Sequence, residues 1–349
     1  MILVYRYRVK SLNGLLNAQA RAVNYVWNYC NDAQKHARNW GQKWPTGFAL
    51  TYLTAGAGPM LGLNAGTVGA VCLQYAKSRR QHNRPFLRYR GRKSLGWIPV
   101  RGQWLKRSGE AFRFSGETFR VFSSRPLPEG KIRDGSSFSQ DARGNWFLNV
   151  VIEIQESARR DMKTGVGIDL GLSSLATLST GEKIGNERHY RALESRLGDA
   201  QRARKSRQAK TIHAKISNAR HDQLHKLSTR IVREFDYIAV GNINAAGLAK
   251  TSMAKSVLDA GWSDLRSMLA YKALRHGAWY EEVDEAFSSQ VCSECGALPA
   301  SRPKGIADLG VRSWCCSDCG AQHDRDVNAA RNILARHGHV PPAEGIGAH

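Results

Sequence analysis

Four cysteines stand in two pairs, Cys292-x2-Cys295 and Cys316-x2-Cys319, with 20 residues between the pairs and a glycine closing each, Gly296 and Gly320. Two thiols at i and i+3 on a tight knuckle reach one tetrahedral ion, and the glycine lets the knuckle turn. The spacing is that of a zinc ribbon. Four protein ligands leave no open coordination position, so one structural Zn2+ is expected. Cys315 adjoins Cys316 but lies one residue too far from Cys319 to complete a knuckle. Cys30 and Cys72 read as ordinary core residues.

A second chemistry is suggested by carboxylates. A metal-dependent phosphodiesterase needs two or three acidic groups converging on a pair of Mg2+ ions, which align water and stabilise the leaving oxygen. Asp169 lies in the apolar run Gly167-Ile-Asp-Leu-Gly171, the position of the first acid on the first strand of an RNase H-like sheet. Asp326 opens Asp326-Val-Asn-Ala-Ala-Arg-Asn-Ile-Leu-Ala-Arg-His337, a helical pattern in which Ala329 and Ala330 permit close packing against a sheet. Arg325, Asn328 and Arg331 are near enough in sequence to orient or neutralise phosphate.

The elements that would carry these groups follow from periodicity. Residues 2–9 alternate as a strand, and 11–38 carry the helical stripe Leu12, Leu15, Leu16, Val23, Trp27 and Tyr29. A second helix is expected over 65–80, ending in Lys77, Arg79 and Arg80. Short strands with turn signals fill 85–155, among them Phe112, Phe114, Phe119 and Val121, then Trp146 to Ile152. Near Thr164 a second unit begins. It has strands at 165–171 and Leu175–Leu178, a hairpin, one long basic helix over 187–233 and a strand from Phe235 to Ile243. A helix over 261–277 and a strand from Trp279 to Phe287 follow, then the cysteines and the last helix. Strands, crossover helix, strand, helix make an α/β unit in the RNase H style.

Charge limits the partners. The chain holds 52 Lys+Arg against 29 Asp+Glu, a formal +23, which calls for a polyanion. Residues 33–109 contain 14 Lys/Arg and no acid. A one-signed stretch of that length tracks a phosphate backbone. Trp40, Trp44, Tyr75, Phe86, Tyr89, Trp97 and Trp104 interleave with it, and rings of this kind stack on unpaired bases or fill the core. Nucleic-acid contacts are expected from Lys77, Arg79, Arg80, Arg88, Arg90, Arg92 and Lys93, and from Arg202, Arg204, Lys205, Arg207, Lys210 and Lys215 on the basic helix. The uncharged run 44–76 is broken by Pro45, Pro59, Asn64 and glycines, so no membrane span is expected. The N-terminus lacks a signal-peptide core, and paired Cys-x2-Cys units suit a reducing compartment. An intracellular protein, in a bacterial cytoplasm and on the nucleoid when bound to DNA, is the expectation.

Gly167-Ile-Asp-Leu-Gly171, Ser289-Gln-Val-Cys-Ser-Glu-Cys-Gly296, Cys316-Ser-Asp-Cys-Gly320 and Asp324-Arg-Asp-Val-Asn-Ala-Ala-Arg-Asn-Ile333 together resemble the TnpB (OrfB) family of insertion-sequence proteins, relatives of type V CRISPR effectors and of Fanzor. The likeness runs through the second unit in order and is looser before residue 160, where Arg92-Lys-Ser-Leu-Gly-Trp-Ile-Pro99 is the most similar stretch. It implies an α+β multidomain fold. A wedge β-barrel would span 1–10 and 82–160, with a helical recognition insert at 11–81. A RuvC-like, RNase H-like nuclease would span 161–290, a zinc-ribbon insert 291–323 and the final RuvC helix 324–338, with a tail at 339–349. It also implies a transposon-derived guide RNA and target DNA as partners, one protein copy in the RNA complex, and Mg2+-dependent cleavage beside a short adjacent motif.

In one place the chain departs from the family. The strand that there reads Val-Glu-Asp-Leu-Asn is Val240-Gly-Asn-Ile-Asn244 here, so Gly241 replaces the middle catalytic glutamate. Taken alone, this predicts a nuclease-dead, RNA-guided repressor. Some relatives resemble this chain in carrying the glutamate on a later strand, and Glu285 is then the substitute, with Gly241 clearing the space and Asp284 turned away. Asp169, Glu285 and Asp326 are accordingly the expected catalytic and Mg2+-binding set. A DNA-joining transposase and a CRISPR effector are the other readings, the latter disfavoured by the length of 349 residues.

Overall fold

The computed structural model describes residues 1–304, 308 and 310–336, so residues 337–338 of the expected last helix and the expected tail at 339–349 lie outside the described residues. The chain divides into two compact units, Met1–Gln155 and Glu156–His349.

The first unit opens with β1 (Ile2–Val9), whose burial alternates strictly and points Leu3, Tyr5, Tyr7 and Val9 inward. Four helices follow: α1 (Asn13–Asn39), α2 (Gly47–Leu53), α3 (Ala57–Leu61) and α4 (Ala65–Gln81). Strands then complete the unit: β2 (Trp97–Val100), β3 (Lys106–Ser108), β4 (Ala111–Phe114), β5 (Glu117–Phe122), β6 (Lys131–Ile132), β7 (Ser136–Gln140) and β8 (Trp146–Glu153). They form one curled antiparallel sheet in the order β2-β7-β8-β1-β5-β4-β3, with β6 beside β8. The end strands β2 and β3 are not paired with each other among the described residues. Phe114 and Phe138 meet at 5.0 Å and Phe119 and Phe138 at 5.6 Å inside the curl.

Helix α1 buries Leu16, Ala20, Val23, Trp27, Cys30, Asn31, Gln34 and Ala37. This is the i, i+3, i+4, i+7 series of one helix face. Tyr29, expected on that stripe, is 39% exposed because it lies about 100° from it. Trp27 packs edge-on against Tyr75 of α4, 5.2 Å between centroids.

The second unit is built on a five-stranded sheet. Its strands are β9 (Gly165–Leu170), β10 (Ser174–Leu178), β11 (Lys183–Gly185), β12 (Tyr237–Gly241) and β13 (Trp279–Val283), in the order β11-β10-β9-β12-β13. The first three are antiparallel neighbours, while β12 and β13 run parallel to β9. Helices α5 (His189–Arg202), α6 (Ser206–Glu234), α7 (Ala245–Leu248), α8 (Ala254–Ala260) and α9 (Trp262–His276) lie between the strands. A two-stranded ribbon, β14 (Ser313–Cys315) and β15 (Gln322–Asp324), leads into α10 (Arg325–Ala335).

Both faces of the sheet are covered. On one, Val166, Ile168, Ile238 and Val240 join Leu224, Ile231, Leu265 and Leu269 of α6 and α9. On the other, Tyr237, Ala239 and Val283 meet Ile333 of α10. Side chains alternate along β9, so Gly165, Gly167 and Asp169 share the α10 face. Gly167 makes the crossing possible: a Cβ there would lie 2.0 Å from the carbonyl oxygen of Ala330.

Three expected boundaries change. The basic helix over 187–233 is a hairpin of α5 and α6 that turns at Arg204, whose φ is +53°. Folding back buries Leu197 and Ala200 against Ile212 and Ile216, which one straight helix would leave in water. Strand β12 ends at Gly241, not Ile243, and β13 ends at Val283, short of Phe287. No helix among the described residues is long and apolar enough to cross a membrane.

Candidate active site and metal centre

The four cysteines form the tighter of two clusters. Their sulfurs all lie within 4.8 Å of one another, with Cys292 Sγ 3.7 Å from Cys319 Sγ and Cys295 Sγ 3.8 Å from Cys316 Sγ. The knuckles are built alike. Gly296 N–H donates to Cys292 C=O and Gly320 N–H to Cys316 C=O, each at 2.9 Å. The N–H groups of Cys292 and Cys316 donate to Ala297 and Ala321. Both glycines take positive φ, +73° and +77°, which closes the turn. Desolvation raises the Cys316 thiol, but backbone N–H groups of Cys319 and Asp318 outweigh it and draw it down to about 7. Cys319 is pushed up to about 12, where burial and the neighbouring cysteines outweigh an opposing backbone N–H of Ala321. Four crowded sulfurs suit a thiophilic dication such as zinc. Cys315 is exposed, its sulfur 3.3 Å from Gly320 C=O, and Cys30 and Cys72 are buried in the first unit.

The second cluster is assembled from three distant segments. Asp169 projects from β9 toward α10, and Asp326 stands in the first turn of α10. Gly241 ends β12 opposite Val283, and the register Val240↔Ile168 sets Gly241 level with Asp169. Glu285 sits just past β13, on the chain as it leaves the sheet. A Cβ on Gly241 would lie 2.7 Å from Glu285 Oε2 and 3.3 Å from Glu285 Cβ. The Glu285 carboxylate therefore occupies the space over residue 241.

Three groups hold this short segment. Asn242 Oδ1 accepts from Glu285 N–H at 3.3 Å, Glu285 C=O accepts from Ser288 N–H at 3.0 Å, and the Arg336 guanidinium donates to the carbonyls of Asp284 and Ala286. Asp284 is exposed and accepts from Ala286 N–H. Burial, then the charges of Asp326 and Glu285, raise Asp169 to about 8 despite Arg325. Burial also raises Glu285, opposed by Arg266. Asp326 and Glu285 thus both lie near enough to act on Asp169.

Cations flank the acids. Lys183 Nζ, from β11, is 2.6 Å from Asp324 Oδ2 and 4.0 Å from Asp326 Oδ2. Arg312 Nη1 is 3.4 Å from Asp326 Oδ1. Asp324 also caps α10, its Oδ1 accepting from the N–H groups of Asp326 and Val327 at 3.1 Å. The capping role was readable as an Asp just before a helix. Lys183 and Arg312 had no signal, because only the fold brings a hairpin lysine and a ribbon arginine to this helix start.

Expected phosphate contacts need correction here. Asn328 is buried, its Nδ2 donating to Ser288 and Val291 carbonyls and its Oδ1 accepting from Ser293 N–H, so it ties the first knuckle to α10. Asn332 bonds the same two carbonyls at 2.7 Å. Arg331 pairs with Glu294 at 3.1 Å, and Arg325 donates to Asp308 C=O. In the first unit Arg79 is buried on Gln34 and Pro45 C=O, its guanidinium 5.3 Å from the Trp44 ring. Arg90 is held by Asn24 at 2.7 Å and Leu95 C=O at 2.9 Å, between Trp27 and Trp97. Both arginines thus brace the first unit through side-chain and backbone acceptors. Tyr75 is core. Lys77, Arg80, Arg88, Arg92 and Lys93 are exposed, as are Arg204, Lys205, Arg207, Lys210 and Lys215 at and beyond the hairpin turn; Arg202 is exposed but paired with Asp199 at 2.6 Å.

Residues 149–252 match the family model OrfB_IS605, described as a probable transposase, and residues 262–333 match the Cas12f1-like TNB domain. A Streptomyces pristinaespiralis protein named "Putative RNA-guided DNA endonuclease" is 43% identical over 226 residues, 61% of this chain and 55% of that protein. InsQ of Escherichia coli K12, named likewise, is 30% identical over 58% of this chain and 56% of its own length. The CRISPR-associated endodeoxyribonuclease Cas12f1 of Sulfoacidibacillus thermotolerans is 27% identical over 55% and 50%. A Cas12f1–sgRNA–target DNA complex aligns over 96% of this chain and 99% of that one, at 13% identity and a TM-score of 0.40. The chain spans about half the length of the curated relatives it matches. The chain is thus similar to the OrfB_IS605 family over residues 149–252 and to the Cas12f1-like TNB domain over residues 262–333.

Proposed function

We propose that the protein is an RNA-guided DNA endonuclease of an insertion sequence, with Asp169, Glu285 and Asp326 as its cutting centre. The names of its relatives support guided DNA cleavage, and the space over Gly241 taken by Glu285 carries the assignment of the third acid. A glutamate lost from one strand and supplied from the segment after its parallel neighbour leaves a three-carboxylate centre. The donor set fits hard divalent cations: oxygen ligands, and the charges of Asp326 and Glu285 acting on Asp169. Two bound Mg2+ ions would supply alignment of the attacking water and stabilisation of the leaving oxygen, giving 5′-phosphate and 3′-hydroxyl ends.

The chain's own part is to hold and orient. The sheet fixes Asp169, the Asp324 cap fixes the first turn that bears Asp326, and Asn242 with Arg336 fixes the segment bearing Glu285. Asp169 would hold the cations as the carboxylate and would have to lose its proton to do so. The cysteine quartet would hold one structural zinc, and the exposed basic residues of the α5–α6 turn and of segment 77–93 would meet guide RNA and target DNA. One copy of the chain per guide RNA and a bacterial cytoplasmic site of action belong to the same reading.

The test is to co-express the chain with the RNA encoded beside its gene, and to incubate the complex with Mg2+ and a target library. Glu285→Ala runs in parallel. Cleavage by the native complex and its loss in the variant support the proposal. Guided binding without cleavage by either would make the protein a repressor in which Gly241 marks a lost activity.

A further inference from the structure

One buried histidine is placed by the fold against the cysteine quartet. His323, on β15, is 5% exposed, and its Nε2 is 3.1 Å from Cys292 Sγ. Cys292 is fully buried, whereas Cys295 and Cys319 are exposed and can be hydrated. The imidazole is fixed from the other side by Trp314, 4.7 Å between ring centroids, its partner across the β14–β15 ladder. The next residue, Asp324, caps α10 and pairs with Lys183.

We infer that His323 donates its Nε2–H to the Cys292 sulfur of the metal-loaded ribbon, and thereby joins the zinc centre to the strand that starts the Asp326 helix. The direction of donation follows from chemistry. A metal-bound thiolate carries no proton, so the hydrogen between these atoms must come from the imidazole. The thiolate at Cys292 has no access to water, and an N–H···S bond is what spreads its charge. Sequence adjacency does the rest, because a ring locked to Cys292 and Trp314 fixes the backbone from which the Asp324 cap projects. The inference rests on the reading of the quartet as a zinc site.

The full chain is purified with zinc, and the rate of zinc transfer to a chromogenic chelator is measured for native protein, His323→Phe and His323→Gln. Loss of a partner of this kind costs about 10–100-fold in metal affinity, so His323→Phe should release zinc faster by about that factor. His323→Gln, which keeps an N–H, should lie near the native rate. The cobalt-substituted proteins should keep the absorption of a four-thiolate site in all three. Native release rates in zinc-loaded His323→Phe would overturn the inference while leaving the zinc reading intact. A changed cobalt ligand set in both variants would overturn it too, by making His323 a ligand. Absence of metal from the native chain would remove the zinc reading and the inference with it. If His323→Phe does not fold, His323→Ala reads the same rate.

Discussion

On the proposed function, the two clusters of the second unit are metal sites of opposite design. The cysteine quartet draws on two short local motifs, each closed by its own backbone hydrogen bonds, and its sulfurs already lie within 4.8 Å. The carboxylates come from β9, from the segment after β13 and from α10, spanning residues 169 to 326, with cations at their edge. Soft ligands on rigid knuckles make a closed, structural site; hard ligands on separate elements make one that can admit ions and a phosphate. The difference teaches where mutations should act. At the quartet they should act on stability, and at the acids on chemistry.

The comparison is broken most severely at the acids. Asp169→Asn, Asp326→Asn and Glu285→Gln are each expected to lower the single-turnover cleavage rate by about 10³-fold or more, roughly 4 kcal/mol of barrier, with guided binding retained. A Glu285→Gln complex that cuts at the native rate would remove Glu285 from the centre. Next in size is Gly167→Ala. Its Cβ would press on the Ala330 carbonyl, so α10 must move, at a cost on the order of 3 kcal/mol of stability measured by denaturant unfolding. Gly241→Ala should do something different: push the Glu285 carboxylate aside and slow cleavage about 10-fold with little change in melting. Restoring a glutamate at 241 in Glu285→Ala tests the same space, and partial recovery is expected.

The pH dependence sharpens the contrast from the electrostatic side. Asp169 in the ion-free protein titrates at about 8, above the usual carboxylate range. A raised carboxylate favours the folded state while protonated and loses that contribution as pH climbs from about 4 through 8. Mg2+ must displace this proton, so apparent Mg2+ affinity should rise with pH and level off above about 8, as proton release in calorimetry would register. A flat affinity between pH 6 and 8 would contradict the mutual repulsion of the three acids. Smallest is the effect at the hairpin turn. Neutralising Lys205, Arg207 and Lys210 should weaken RNA or heteroduplex binding modestly and flatten its log–log salt slope by about 0.7–0.9 per lost phosphate contact.

Periodicity made β1, α1, β9 and α10 legible, because each buries one face against a neighbour and writes that face into its residues. It did not reveal the break at Arg204. The helix pattern continues through residues 203–205 without glycine or proline, and only the match of Leu197 to Ile212 and Ile216 demands a turn. Burial of arginines was equally hidden. Arg79 and Arg80 are neighbours of one type, yet one points into the core and the other into water.

Spacing in the chain decided the cysteine centre by itself, since both knuckles are local and close without help from the rest of the fold. The likeness of four motifs already pointed to the family whose models match this part of the chain. The fold alone decided the acids: whether Glu285 lies over Gly241 depends on two parallel strands 42 residues apart in sequence, on Asn242 and on Arg336 from the far end of α10. It also brought Lys183, Arg312 and His323 to their clusters. The physical reason is range. Backbone hydrogen bonds and helical or strand periods act over a few residues and can be read along the chain, whereas a carboxylate's field and a Cβ's excluded volume act on whatever the packing brings within a few ångströms.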